Sequence, residues 1–144
     1  MIAIFKTLSD QVLSWLKDDP VRPDVPVTLR IGKNADIFAL QGSDKPQAIT
    51  CVSYQDFVPK AEWELFTSTS TPTVAVFYTI WSYQKGAGRA LILDALAHIR
   101  QTRPEITTFV TLSPKTDMAR EFHLRNGASV YRENRTTINY HYKD

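Results

Sequence analysis

Apolar residues along this chain recur with two different periods, and the change from one to the other marks its elements. Residues 1–17 carry Phe5, Leu8, Val12, Leu13, Trp15 and Leu16 at helical spacing, which predicts an amphipathic helix within residues 1–19. That pattern fits a helix docked on its own domain, and it also fits one laid on a membrane surface or a partner. Pro20, Pro23 and Pro26 end the helix as a stiff connector, and residues 20–144 make the main domain. Short β-branched runs predict strands over 27–32, 36–41 and 47–54, with turns at Lys33-Asn34 and over 42–46. Residues 56–73 read as a loop with a helical turn, containing Pro59, Trp63 and a Ser/Thr-rich tip. The most apolar run, residues 74–81, belongs at the centre of a sheet. A helix over 89–102 follows, with Ile92, Leu96 and Ile99 on one face, and Pro104 separates it from a strand over 106–112. Residues 115–126 read as a helix carrying Met118, Ala119 and Phe122 on one side and stopped by Gly127. Residues 129–133 and 136–142 close the chain as a hairpin around Asn134-Arg135. This order predicts one α/β domain built on a mixed sheet.

The composition narrows the function. At 144 residues the chain is long enough to bury ~70% of its unfolded surface in one domain. A net charge of +2 without a basic cluster gives no nucleic-acid signal. No apolar stretch approaches the ~20 residues a bilayer demands, and no cleavage site follows residues 1–17, so neither a membrane nor a secretory address is expected. The lone cysteine, Cys51, lies in a strand-like run and reads as a buried structural thiol; one cysteine also fits a reducing, cytoplasmic setting. The oligomeric state stays open, a homo-oligomer included.

Two stretches carry chemistry. Tyr83-Gln84-Lys85-Gly86-Ala87-Gly88-Arg89-Ala90 joins the central strand to a helix N-terminus, where glycines let backbone N–H groups approach an anion. A P-loop would need Gly-Lys-Ser/Thr, which is absent, and a dinucleotide fingerprint would need glycine at Leu91. A plain turn and a pyrophosphate cradle of the acetyltransferase type, Gln/Arg-x-x-Gly-x-Gly/Ala, remain, with Tyr83 departing from the latter at its first position. The second stretch is Thr111-Leu112-Ser113-Pro114 followed by Phe122-His123-Leu124-Arg125-Asn126-Gly127-Ala128. Pro114 keeps Ser113 extended at a strand's carboxyl end, where α/β folds place ligand contacts. On spacing alone, Ser113 is as well explained as a strand-ending cap, and His123 as a half-buried helix residue. His98 is expected to face solvent, and His141, opposite Tyr140 and Tyr142, to be uninvolved.

This order of elements resembles the GNAT superfamily of acyl-CoA-dependent acyltransferases. In that superfamily the late helix often reads Ala-x-x-Phe-Tyr-x-x-x-Gly; here it is Ala119-x-x-Phe122-His123-x-x-x-Gly127, with His123 at the proton-donating tyrosine's place. The resemblance implies an α+β fold, a single GNAT-like domain with a mixed, mostly antiparallel central sheet flanked by helices. Phe77-Tyr78-Thr79-Ile80, PEITTFVTLSP over 104–114, FHLRNGA over 122–128 and Asn139-Tyr140-His141-Tyr142 look like the catalytic domain of the malonyl-CoA decarboxylases, a likeness covering residues 35–142. It implies a catalytic Ser113, His123 and Tyr142. It also implies a coenzyme A thioester, malonyl-CoA or acetyl-CoA, as the small-molecule substrate, held by Ile80, Trp81, Ser82, Gly86, Ala87, Gly88, Arg89 and Ala90, with no metal. The chain departs from the family in lacking the glutamate near the glycine turn, the insertion between the serine and histidine blocks, and the helical N-terminal domain.

Decarboxylating a malonyl thioester needs an aligned carboxylate, donors for the enolate and a general acid for the α-carbon. Ser113 would hold the carboxylate, His123 with its ordinary pKa of ~6.5 would give the proton, and Tyr142 would orient it. An N-acetyltransferase, with Asp56 or Glu62 as base, and a non-catalytic acyl-CoA binding module are the alternatives.

Overall fold

The computed structural model describes residues 1–143, and its first element departs from the helical reading of the N-terminus. Ile2–Ile4 is a strand, β1, and the helix α1 is confined to Asp10–Leu16. The reason is local and tertiary together. Ile2 and Ile4 alternate as a strand does, a sheet edge is available beside them, and Ser9 caps α1 by accepting the Val12 N–H at 3.2 Å. Residues 27–32, expected as a strand, instead form a 3-10 turn at Val27–Leu29 and a single bridge from Gly32 to Ala35. Pro26 at the N-cap of that turn favours the tight geometry.

The other expected elements form. β2 (Ala35–Leu40), β3 (Ala48–Gln55) and β4 (Val74–Ser82) run antiparallel in sequence, a 3-10 turn at Glu62–Glu64 lying between β3 and β4. The helix α2 (Ala87–Thr102) crosses over to β5 (Thr108–Thr111), which pairs parallel with β4. The strand expected over 106–112 divides at Leu112, and Ser113–Pro114 forms a separate short strand, β6. The helix α3 (Asp117–Arg125), β7 (Ser129–Glu133) and β8 (Thr137–His141) complete the fold. The sheet order is β1-β2-β3-β4-β5-β8-β6, with β7 on β8. It is a mixed, mostly antiparallel sheet of eight strands in a single domain.

Each face of the sheet is covered. Leu91, Ile92, Leu96 and Ile99 of α2 pack with Phe38, Phe77 and Tyr54 on one side. Val12 and Leu16 of α1 join Ile37, Cys51, Val76 and Tyr78 on the other. Cys51 is fully buried there, and burial pushes its thiol pKa up to about 11, as an inert core thiol requires. His98, expected in solvent, is half-buried with its ring edge-on to Phe38 at 5.7 Å.

The feature that makes a site is a parting of the two central strands. The β4–β5 ladder runs from Val74 opposite Thr108 to Phe77 opposite Thr111 and ends with the Leu112 N–H bonded to the Phe77 carbonyl at 3.1 Å. A bulge then leaves Tyr78 without a partner residue on β3, while Ser113 moves across to Ile138 of β8. Residues 19–22 cross the gap. Asp19, buried, accepts the Thr79 hydroxyl at 2.6 Å, the Val21 N–H at 2.8 Å and the Arg22 N–H at 2.9 Å on one oxygen. Its other oxygen pairs with Arg30 at 2.8 Å, both side chains being almost wholly buried.

Removing one member of such a pair leaves an uncompensated buried charge. Asp19→Ala should therefore lower stability by about 3 kcal/mol or more, read as an earlier midpoint in urea unfolding. The double variant Asp19→Leu with Arg30→Met should recover much of the loss, because no charge is then stranded.

Candidate functional site

Between the parted strands lies a cleft of about 370 Å³. Its walls are Phe77 to Ser82 of β4, Leu112 to Pro114, Thr116, and Met118, Ala119, Phe122 and His123 of α3; Gly88 of α2 and Pro20 and Val21 of the connector complete it. Ser113 and His123 are thus brought to one cleft by a short turn and one helix. α3 is well defined at both ends. Thr116 caps its start by accepting the Ala119 N–H at 3.2 Å. At the other end Gly127, at φ +100°, closes a Schellman turn in which Ala128 N–H reaches the His123 carbonyl at 3.0 Å.

His123 is buried, and three rings fix it. Tyr140 stacks on it with centroids 5.1 Å apart, Phe122 meets it edge-on at 5.0 Å, and Tyr142 lies edge-on at 5.8 Å. Its Nδ1 is 2.7 Å from the Tyr142 hydroxyl, and the residue lines the cleft. Burial lowers its pKa to about 4, so the imidazole is neutral at pH 7, not the ready proton donor that an ordinary pKa implied. Burial likewise pushes the Tyr142 hydroxyl up, partly opposed by the Arg89 charge, so the phenol stays protonated and can donate to Nδ1.

Ser113 is equally buried and donates to the Thr111 hydroxyl at 2.8 Å; that same oxygen accepts the Tyr140 N–H at 3.1 Å. Thr111 and Ser113 share one side of the chain because strand side chains alternate. The sequence reading named neither Thr111, which holds Ser113, nor Tyr140, which stacks on His123, as a site residue. Each stands two positions from a named one, Thr111 before Ser113 and Tyr140 before Tyr142, and that spacing was the available signal.

The glycine turn lies at the edge of this cleft. Gly86, at φ +82°, is the N-cap of α2 and supplies no side-chain acceptor. The Ala87 N–H reaches the Gln84 carbonyl at 3.2 Å and helical bonding resumes at Ala90, which leaves the Gly88 and Arg89 N–H groups without helix acceptors. At Gly88 a Cβ would stand 3.2 Å from the Phe122 ring, so glycine is what lets α2 approach α3. Ile80, Trp81, Ser82 and Gly88 line the cleft; Gly86, Ala87, Arg89 and Ala90 stand outside it. The exposed Arg89 is turned to α3, donating to Asn126 Oδ1 at 3.0 Å. Tyr83 lies partly exposed under Lys45, with its hydroxyl on Asp18 at 2.6 Å. His141 faces Tyr131, away from His123. Among the described residues no cluster of three His, Cys, Asp or Glu could hold a metal, and no helix is long and apolar enough to cross a membrane.

A buried neutral histidine makes stability depend on pH. The unfolded chain takes up a proton near pH ~6.5 and the folded one only near 4, so stability is full above the first value and falls between them. From pH 7 to pH 5 this contributes a loss of about 2 kcal/mol. His123→Gln should remove that share of the pH dependence, seen by comparing urea midpoints of the two proteins at both pH values.

No family model matches the chain, and no curated protein matches it in sequence. Its fold, however, matches solved structures. Malonyl-CoA decarboxylase from Rhodopseudomonas palustris superposes over 98% of this chain with a TM-score of 0.74 at 18% identity, and this chain spans 59% of that protein. An acetyltransferase from Bacillus subtilis in complex with CoA matches over 99% of this chain and 97% of its own, at TM-score 0.68 and 12% identity. The GNAT domain of PAT from S. lividans matches over 98% and 88%, at TM-score 0.69 and 12% identity. The parted central strands, the crossover helix with its open N-terminus and the closing hairpin are thus a minimal GNAT fold.

Proposed function

We propose that this protein is an acyl-CoA-dependent enzyme that decarboxylates a malonyl thioester in the cleft between β4 and β5. The observation that carries this reading is that Ser113 and His123 line one cleft, the first bonded to the Thr111 hydroxyl and the second to the Tyr142 hydroxyl behind it. Support comes from the open amides of Gly88 and Arg89 at its edge, suited to a pyrophosphate, and from the fold shared with malonyl-CoA decarboxylase and with a CoA-bound acetyltransferase.

The lowered pKa of His123 gives the reaction a direction. Burial alone depresses it in the free protein. A malonyl carboxylate beside the ring would favour the charged form, so binding draws a proton from solvent onto His123. The Tyr142 hydroxyl suits both states, donating to Nδ1 in the neutral ring and accepting from it in the cation. When the C–C bond breaks, its electron pair moves into the thioester as an enolate and CO2 leaves. The counter-charge is then gone, His123 returns toward its low pKa, and its Nε2 proton passes to the α-carbon. Ser113 holds the carboxylate before this step. Acetyl-CoA and CO2 are the products.

Incubation with malonyl-CoA should yield acetyl-CoA and CO2, followed by thioester chromatography. His123→Gln should lower kcat by about 10²–10⁴, the span of general acid catalysis, with Tyr142→Phe falling between it and the parent. Amine-dependent release of CoA from acetyl-CoA, without loss of CO2 from malonyl-CoA, would replace this reading by N-acetyltransfer. Saturable CoA binding with neither activity would leave a binding module.

A further inference from the structure

β4 and β5 part beyond Phe77 and Thr111, and parting strands leave unmet backbone groups. Two carbonyls face this need, Tyr78 on β4 and Leu112 after β5, and one side chain serves both. Arg22 donates from Nε to the Tyr78 carbonyl at 3.3 Å and from its terminal NH2 to the Leu112 carbonyl at 2.8 Å. Its remaining nitrogen lies 3.5 Å from Glu62, and the side chain is 12% exposed. The guanidinium therefore stands across the gap as a rigid fork.

Arg22 is also held at its backbone. Its N–H donates to Asp19 at 2.9 Å, and its carbonyl accepts from Arg30 at 2.8 Å. Pro20 and Val21, the two residues before it, line the cleft, as do Tyr78 and Leu112. The connector thus bars the place where the sheet would otherwise be open from side to side. An acyl thioester seated in the cleft fills the side from which it enters. The gap would then be the route left to a second reactant aimed at the thioester carbonyl, on the reading that the thioester fills the cleft. There it would meet a fixed, partly desolvated cation, which would repel an ammonium and stand in the way of a neutral amine.

We infer that Arg22 closes the cleft to an amine acceptor, so that the site turns over an acyl-CoA thioester by itself instead of transferring the acyl group. This rests on the reading that the cleft holds such a thioester. It assigns Arg22 a specificity role that does not involve touching the acyl group.

The test is CoA thiol release from acetyl-CoA with and without hydroxylamine, which is small and uncharged at pH 7, and with a bulkier amine, benzylamine. The parent protein should show no amine-dependent release above the slow protein-free rate, which is the baseline for the variants. Arg22→Ala should raise hydroxylamine-dependent release by about tenfold or more, a small part of what full positioning of a nucleophile yields. Added guanidinium ion should suppress the gain by refilling the gap, an effect that a loosened fold would not show. Arg22→Lys, which keeps the charge but cannot span both carbonyls, should give a smaller gain and serves if the alanine variant does not fold. Acyl transfer to either amine by the parent overturns the inference. So does an unchanged rate in a folded Arg22 variant. If the parent does not bind CoA thioesters in a direct titration, the underlying reading fails and this inference fails with it.

Discussion

The structure depends on one interrupted ladder. β4 and β5 pair as parallel strands only as far as Phe77 and Thr111, and the cleft exists because they stop there. An interruption at the centre of a sheet exposes carbonyls that must find donors, since an unmet buried peptide group costs about as much as a lost hydrogen bond. Arg22 meets that need on both strands at once. Its own position rests on Asp19, and the charge of Asp19 is balanced by Arg30. A single buried carboxylate therefore stands beneath the opening of the site, at the end of a connector that carries three prolines.

The same geometry sets the chemistry. Because the strands diverge, Ser113 is carried onto β8 and away from β4, and α3 can bring His123 to the same space. The walls are largely apolar, and desolvation keeps the histidine neutral in the free protein. Tyr140, Phe122 and Tyr142 pack around the ring and restrict it. The fit of α2 against α3 at Gly88 places the open helix N-terminus at the cleft's edge, joining the two halves of the site through one missing side chain.

Much of this was legible locally. Gly127 as a helix stop, Pro114 holding Ser113 extended and the apolar face of α2 all follow from backbone preferences within a few residues. The motif blocks placed Ser113, His123 and Tyr142 as candidates, and the chain brings Ser113 to the cleft with His123, which Tyr142 holds by a hydrogen bond. Local reading failed where a partner from elsewhere decided the outcome. Ile2–Ile4 is a strand because the edge of β2 lies beside it; the helical spacing from Phe5 to Leu16 had suggested that the helix covers the whole N-terminal segment. His98 is drawn against Phe38, and His123 loses its ordinary pKa to burial.

What the sequence determined by itself was the succession of elements, the stops between them and the residue types at the strand-to-helix steps, because these depend on φ, ψ and periodicity over short stretches. The tertiary structure alone decided which groups share an environment. Arg22 reaches carbonyls 56 and 90 positions away, and no local pattern encodes that pairing. The protonation state of His123 is likewise a property of the space that β4, α3 and β8 enclose, since desolvation acts only once those elements have closed around it.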